Sequence, residues 1–176
     1  MKTALHLVLS VAFLAPQAQP VSLAPSSATP PDVVDRMLTM AQVGANDVVY
    51  DLGSGDGRIV IAAALKFGAR GVGVDIDPAL VARAQADARA AGVADRVTFA
   101  VQDAMTVDLT RATVVTLYLL AASNAKLRPI LTKQLRPGAR IVSHNYPIGD
   151  WDPDQVDTFT DARGTTRTLF LWRIKP

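Results

Sequence analysis

From residue 29 onward, short contiguous apolar runs alternate with stretches whose apolar positions recur every three or four residues. The first kind suits buried strands and the second suits helices packed on a sheet. Thr29-Pro30-Pro31-Asp32 reads as a helix start, with Thr29 as N-cap, proline in the first turn and an acid three residues after the cap. That helix is expected to run to about Gln42, with Val33, Val34, Met37, Leu38 and Ala41 on one face. Further helices are predicted over 58–67, 78–91 and about 123–134, the first two closed by Gly68 and Gly92. Strands are predicted over 47–50, 71–74, 96–101, 113–120 and 140–143, and a last one over 165–174 pairs in a hairpin with 155–160. This order predicts an α/β fold: a mostly parallel seven-stranded sheet, helices on both faces and a C-terminal antiparallel hairpin.

Residues 1–28 break the pattern. Lys2 is their only charge, Ala4 to Leu14 is apolar apart from His6 and Ser10, and a Pro/Gln/Ser/Ala-rich stretch ends in Ser26-Ser27-Ala28. A basic start, an apolar centre and a small-residue exit predict a secretory signal peptide, with a disordered leader as the alternative. A span needs about 20 apolar residues, so no stable membrane insertion is expected of the domain at 29–176. The mature protein is then periplasmic or secreted; without a working signal it is cytoplasmic. The chain has 18 basic and 16 acidic residues, a balance that argues against nucleic acid as partner. With no cysteine, a thiolate zinc site and a cysteine nucleophile are excluded, and no metal site is expected.

The chemistry concentrates in Val48-Val49-Tyr50-Asp51-Leu52-Gly53-Ser54-Gly55-Asp56-Gly57-Arg58, where a strand empties through a glycine-rich turn into a helix. Such a turn lets a ligand approach the backbone. The spacing is G-x-G-x-G rather than G-x-G-x-x-G, and no G-K-[ST] ending makes it a P-loop. Asp51 and Asp56 flank it; carboxylates repel a diphosphate and attract a cationic ligand. Asp75 ends the next strand about 20 residues on, where ribose hydroxyls are gripped in Rossmann-type sites. Asp77 is expected to cap the helix that begins at Pro78. Asp103 ends the third strand and is placed to accept from an adenine amine, with Ile76 packing on the ring. The ligand that fits is a nucleoside with a positively charged tail, such as S-adenosyl-L-methionine.

Tyr50 to Gly57, Gly73-Val74-Asp75 and Gln102-Asp103 resemble, in order and spacing, the class I S-adenosylmethionine-dependent methyltransferase signature. Asp51 to Ala64, Thr116 to Leu120, Leu135-Arg136-Pro137-Gly138 and Val142-Ser143-His144 followed by Trp151 resemble a small protein-lysine methyltransferase family. That family includes an archaeal broad-specificity enzyme and a mitochondrial enzyme acting on an ATP synthase subunit. The resemblance implies a Rossmann-like fold over 29–176, cofactor contacts from Asp51, Gly53, Gly55, Asp75 and Asp103 with Ser54 and Ile76 lining the site, and a protein acceptor with an accessible lysine; Gly57, in the same turn, is a further candidate for cofactor binding. It sits awkwardly with an export signal, because the cofactor is made in the cytoplasm.

A lysine amine has a solution pKa of about 10.4 and must lose its proton before it attacks. An apolar, aromatic-lined opening favours the neutral amine without a strong base. Tyr118 and His144 are the candidate catalytic residues, and Asn145, Tyr146 and Trp151 the candidate substrate contacts. The fourth strand carries no Asn/Asp-Pro-Pro-Tyr motif, the mark of enzymes that methylate nucleic-acid amines. A small-molecule methyltransferase and an exported, non-catalytic binding module are the alternatives, and a Rossmann dehydrogenase is a distant third.

Overall fold

A computed structural model describes residues 27–176; the predicted signal peptide falls almost wholly outside the described residues. Seven strands form one sheet in the order β3-β2-β1-β4-β5-β7-β6. The first five, β1 (Val48–Leu52), β2 (Arg70–Asp75), β3 (Val97–Val101), β4 (Val114–Leu117) and β5 (Arg140–His144), are parallel. β7 (Thr166–Arg173) lies antiparallel between β5 and β6 (Gln155–Thr160), as the C-terminal hairpin predicts.

Strand alternation divides the core into two layers. Val49, Val114 and Val142 face one layer, covered by α1 (Pro31–Met40), α2 (Arg58–Phe67) and α3 (Pro78–Ala90). Tyr50, Leu52, Val115, Leu117 and Ile141 face the other, covered by Leu127 and Leu131 of α4 (Ala121–Gln134) and by the connection that follows β3. Helices therefore cover both faces, three against one. Among the described residues no helix is long and apolar enough to cross a membrane.

Element ends shift where tertiary structure overrides local sequence. α2 keeps its predicted bounds, because left-handed Gly57 and Gly68 bracket it. α1 differs at both ends. Pro30 is the N-cap and makes no side-chain cap bond, and the helix stops at Met40, with Gln42 at φ 53°. The Thr29 side chain turns to a different partner, described below. β4 ends at Leu117, three residues early, because its neighbour β1 offers partners only to Leu52. Tyr118 thus leads out of the sheet toward α4. A single 3-10 turn, Ala104–Thr106, follows β3 without a signal in the sequence pattern.

Candidate active site at the carboxyl edge

Parallel strands β1, β2, β4 and β5 and the end of β3 bring the predicted acids and aromatics to one sheet edge. The amides of Gly53 and Ser54 both donate to the Val74 carbonyl at 2.9 Å, tying the glycine turn to the end of β2. Asp75 completes the tie: one oxygen accepts from the Gly55 amide at 2.9 Å and the other from the Asp77 amide at 3.0 Å. Asp77 caps α3 through the Ala79 amide, as its sequence position predicts.

The turn glycines do different jobs. A Cβ on Gly55 would meet nothing within 4 Å, so this residue leaves open space at the edge. A Cβ on Gly57 would lie 2.5 Å from the Phe99 ring, so its lack of a side chain lets the turn pack on that ring. Gly53 would meet Leu119 at 2.8 Å. The Ser54 hydroxyl is buried without a partner, close beneath Gly73, and so lies on the sheet side of the turn. Ser54 is thus placed in the support of the turn rather than its open face.

Asp51 is the most unusual acid of the site. It is 3% exposed and carries no cationic partner among the described residues. Its register partner across the sheet is Thr116, whose hydroxyl donates to Asp51 Oδ1 at 2.7 Å. Burial, opposed by that hydrogen bond and reinforced by nearby Asp75 and Asp56, pushes its pKa up to about 7. An unpaired buried carboxylate costs the fold free energy, and a cationic ligand is what would stabilise it. Asp56 departs from expectation. Arg58 holds it with two nitrogens, one at 2.9 Å, and keeps its carboxyl below the ordinary range. Its charge is neutralised locally, so the cationic attraction predicted for the pair rests on Asp51. Asp103 accepts from the Met105 amide at 2.9 Å and caps the 3-10 turn, while Ile76 is half-buried beyond β2.

A second cluster lies past β4 and β5. The Tyr118 ring stacks on His144 with centroids 4.1 Å apart, and Tyr146 lies 6.4 Å from Tyr118 at a shallow angle. His144 is fully buried and its Nε2 has no partner. Burial first, and the Arg167 charge second, lower its pKa to about 4, against a smaller opposing effect of Asp161. The imidazole is neutral at physiological pH. The loop after it is pinned from two sides. Asn124 Nδ2 donates to Ser143 Oγ and to the Tyr146 carbonyl, both at 3.1 Å, and Ser143 Oγ donates to the same carbonyl at 2.6 Å. Asn124 is invisible to sequence reasoning, because a helix asparagine at that position gives no signal of a partner twenty residues on.

Two predicted substrate contacts lie elsewhere. Asn145 adopts φ 63° and its side-chain oxygen accepts from the Thr168 amide, so it shapes the backbone between β5 and β7. Trp151 packs beside Trp172, whose Nε1 donates to the Trp151 carbonyl at 2.9 Å, and it joins the core layer of α4. His144 follows Val142 by two residues and so faces the opposite layer. Trp151 therefore does not wall the opening beside Tyr118.

Comparison with known proteins identifies the family. The model of the ANTKMT methyltransferase domain matches residues 51–155, well over half of the chain. The chain belongs to this methyltransferase family. A protein-lysine N-methyltransferase of Saccharolobus islandicus is 42% identical over 147 residues, covering 83% of this chain and 91% of that one. A lysine N-methyltransferase of Rattus norvegicus, named for an ATP synthase subunit, is 33% identical across 82% of this chain, which spans 65% of that relative's length. A crystal structure from Salinibacter ruber, described as an RNA methyltransferase in complex with S-adenosyl-L-homocysteine, superposes with a TM-score of 0.79. It is 54% identical and covers 85% of this chain and 94% of its own. The methyltransferase is S-adenosyl-L-methionine-dependent, and its open Gly55 and unpaired, buried Asp51 fit a cationic nucleoside.

Proposed function

We propose that this methyltransferase N-methylates lysine side chains of proteins. Asp51, Asp75, Ile76, Asp103 and the open turn at Gly53 and Gly55 would hold the cofactor. Tyr118 and Tyr146 form the wall of the acceptor opening, with fully buried His144 stacked behind Tyr118. S-adenosyl-L-methionine supplies a methyl group on a sulfonium, and transfer to an amine needs orientation and a dry site more than it needs a strong base.

One observation carries the reading: Tyr118 stacked on a buried histidine held neutral, at the strand ends next to the cofactor turn. An aromatic wall attracts an alkylammonium through its ring faces. The same wall, once dehydrated, favours loss of the amine's proton. A charged imidazole there would repel the incoming ammonium, and burial of His144 prevents that. The lysine-methylating relatives support the acceptor.

The description of the Salinibacter relative favours a second reading, an RNA acceptor. Tritiated S-adenosyl-L-methionine incubated with lysate separates the two. Label that protease removes and nuclease spares is the expected result. Label released by nuclease, or confined to the low-mass fraction, overturns the lysine assignment.

A further inference from the structure

Thr29 carries no N-cap bond, and its side chain and carbonyl reach the two halves of the site instead. Its carbonyl accepts from Arg58 Nη1 at 2.9 Å, and the same guanidinium grips Asp56 in the glycine turn. Its hydroxyl meets His144 Nδ1 at 3.4 Å. Thr29 is 3% exposed and His144 is fully buried, so water does not compete for the contact between them. A continuous line of polar contacts thus runs from Asp56 through Arg58 and Thr29 to His144, on which Tyr118 stacks.

Building on the acceptor wall proposed above, we propose that Thr29 is a positioning residue: its hydroxyl fixes the tautomer and tilt of His144, and through that ring the face of Tyr118. A neutral imidazole has one N–H and one bare nitrogen. Nε2 is buried without a partner. With the proton on Nδ1, the N–H donates to Thr29 Oγ1 and Nε2 is a bare acceptor. The other tautomer buries an unmatched N–H, which is costlier than an unmatched acceptor. The Nδ1–H form is therefore held, and the Arg58 bond on the Thr29 carbonyl keeps the hydroxyl in place. Thr29→Val removes the hydroxyl at nearly constant volume and leaves the ring without a hydrogen-bond partner at either nitrogen.

The test is imidazole 15N NMR of the full chain, with methyl-transfer rates to a heat-treated lysate protein pool measured alongside. The chain has two histidines, so a His144→Gln spectrum completes the assignment. The wild type is expected to show protonated Nδ1 and bare Nε2 at His144. In Thr29→Val the two shifts converge and the rate falls about three- to tenfold, as expected for loss of one buried hydrogen bond. S-adenosylhomocysteine affinity stays unchanged, and Thr29→Ser restores both shifts and rate. Unmoved shifts in Thr29→Val, or failure of Thr29→Ser to restore them, overturns the role. Normal transfer in Thr29→Val with loss in His144→Ala overturns the Thr29 role and leaves the acceptor wall standing. Normal transfer in both variants overturns the wall, and the Thr29 role with it.

Discussion

Replacing Asp51 by asparagine should stabilise the fold and cripple the cofactor site together. The folded carboxyl ionises near pH 7 instead of the ordinary 3.8. Its contribution to stability is fully present below about pH 4 and is lost as pH rises through 7, because the folded state then forfeits a proton it binds more tightly than the unfolded chain does. Each tenfold difference in acid strength corresponds to about 1.4 kcal/mol, so the full range amounts to about 4 kcal/mol. The substituted amide would have an oxygen to accept from Thr116 and no charge to bury. The stability gap between Asp51→Asn and wild type should therefore widen in the variant's favour by about 2 to 3 kcal/mol between pH 5 and pH 8. For a chain of this size that is roughly 4 to 12 °C in relative melting temperature. Thermal melts of both proteins across that range measure it, and His144 titrates alike in both and cancels. Calorimetry at pH 8 should show S-adenosylhomocysteine affinity reduced at least tenfold. A pH-independent gap, or undiminished affinity, would refute the claim that Asp51 is a buried charge kept for a cationic ligand.

The two turn glycines should separate in their effects. Gly57→Ala forces a Cβ into Phe99 and should cost about 2 to 4 kcal/mol of stability by urea unfolding. Gly55→Ala has room and should cost only about 1 kcal/mol for its left-handed φ, yet weaken S-adenosylhomocysteine binding in calorimetry. Trp151→Phe should leave transfer rates within about twofold and lower the melting temperature, since its ring packs beside Trp172. Because His144 ionises near 4, the pH–rate profile should carry no histidine inflection around 6.5; one appearing there would mean that the ring is solvated.

The fold is legible in the sequence where local chemistry and tertiary structure agree. Gly57 and Gly68 bracket α2, Asp77 caps α3, and apolar runs fill the parallel strands. The acids at successive strand ends are legible for the same reason: parallel topology carries them to one edge. What the residue pattern cannot deliver are partners chosen in three dimensions. Asp56 reads as a free acid, but Arg58 closes on it. Thr29 reads as a cap, but the chain places it over His144, 115 residues on. Trp151 follows His144 by only seven residues, yet the loop carries it to the opposite core layer, a reversal no spacing rule anticipates. Asn145 likewise reads as a polar contact, and the left-handed backbone it supports has the stronger claim on its side chain.

The central claim, lysine methylation, is tested most directly by acid hydrolysis and mass spectrometry of lysate protein methylated by this enzyme with deuterated S-adenosyl-L-methionine. Deuteromethyl groups are expected on the ε-nitrogen of lysine, abolished by Asp75→Ala and strongly reduced by Tyr118→Ala. Deuteromethyl groups on nucleosides, or on protein atoms other than the lysine ε-nitrogen, would contradict it.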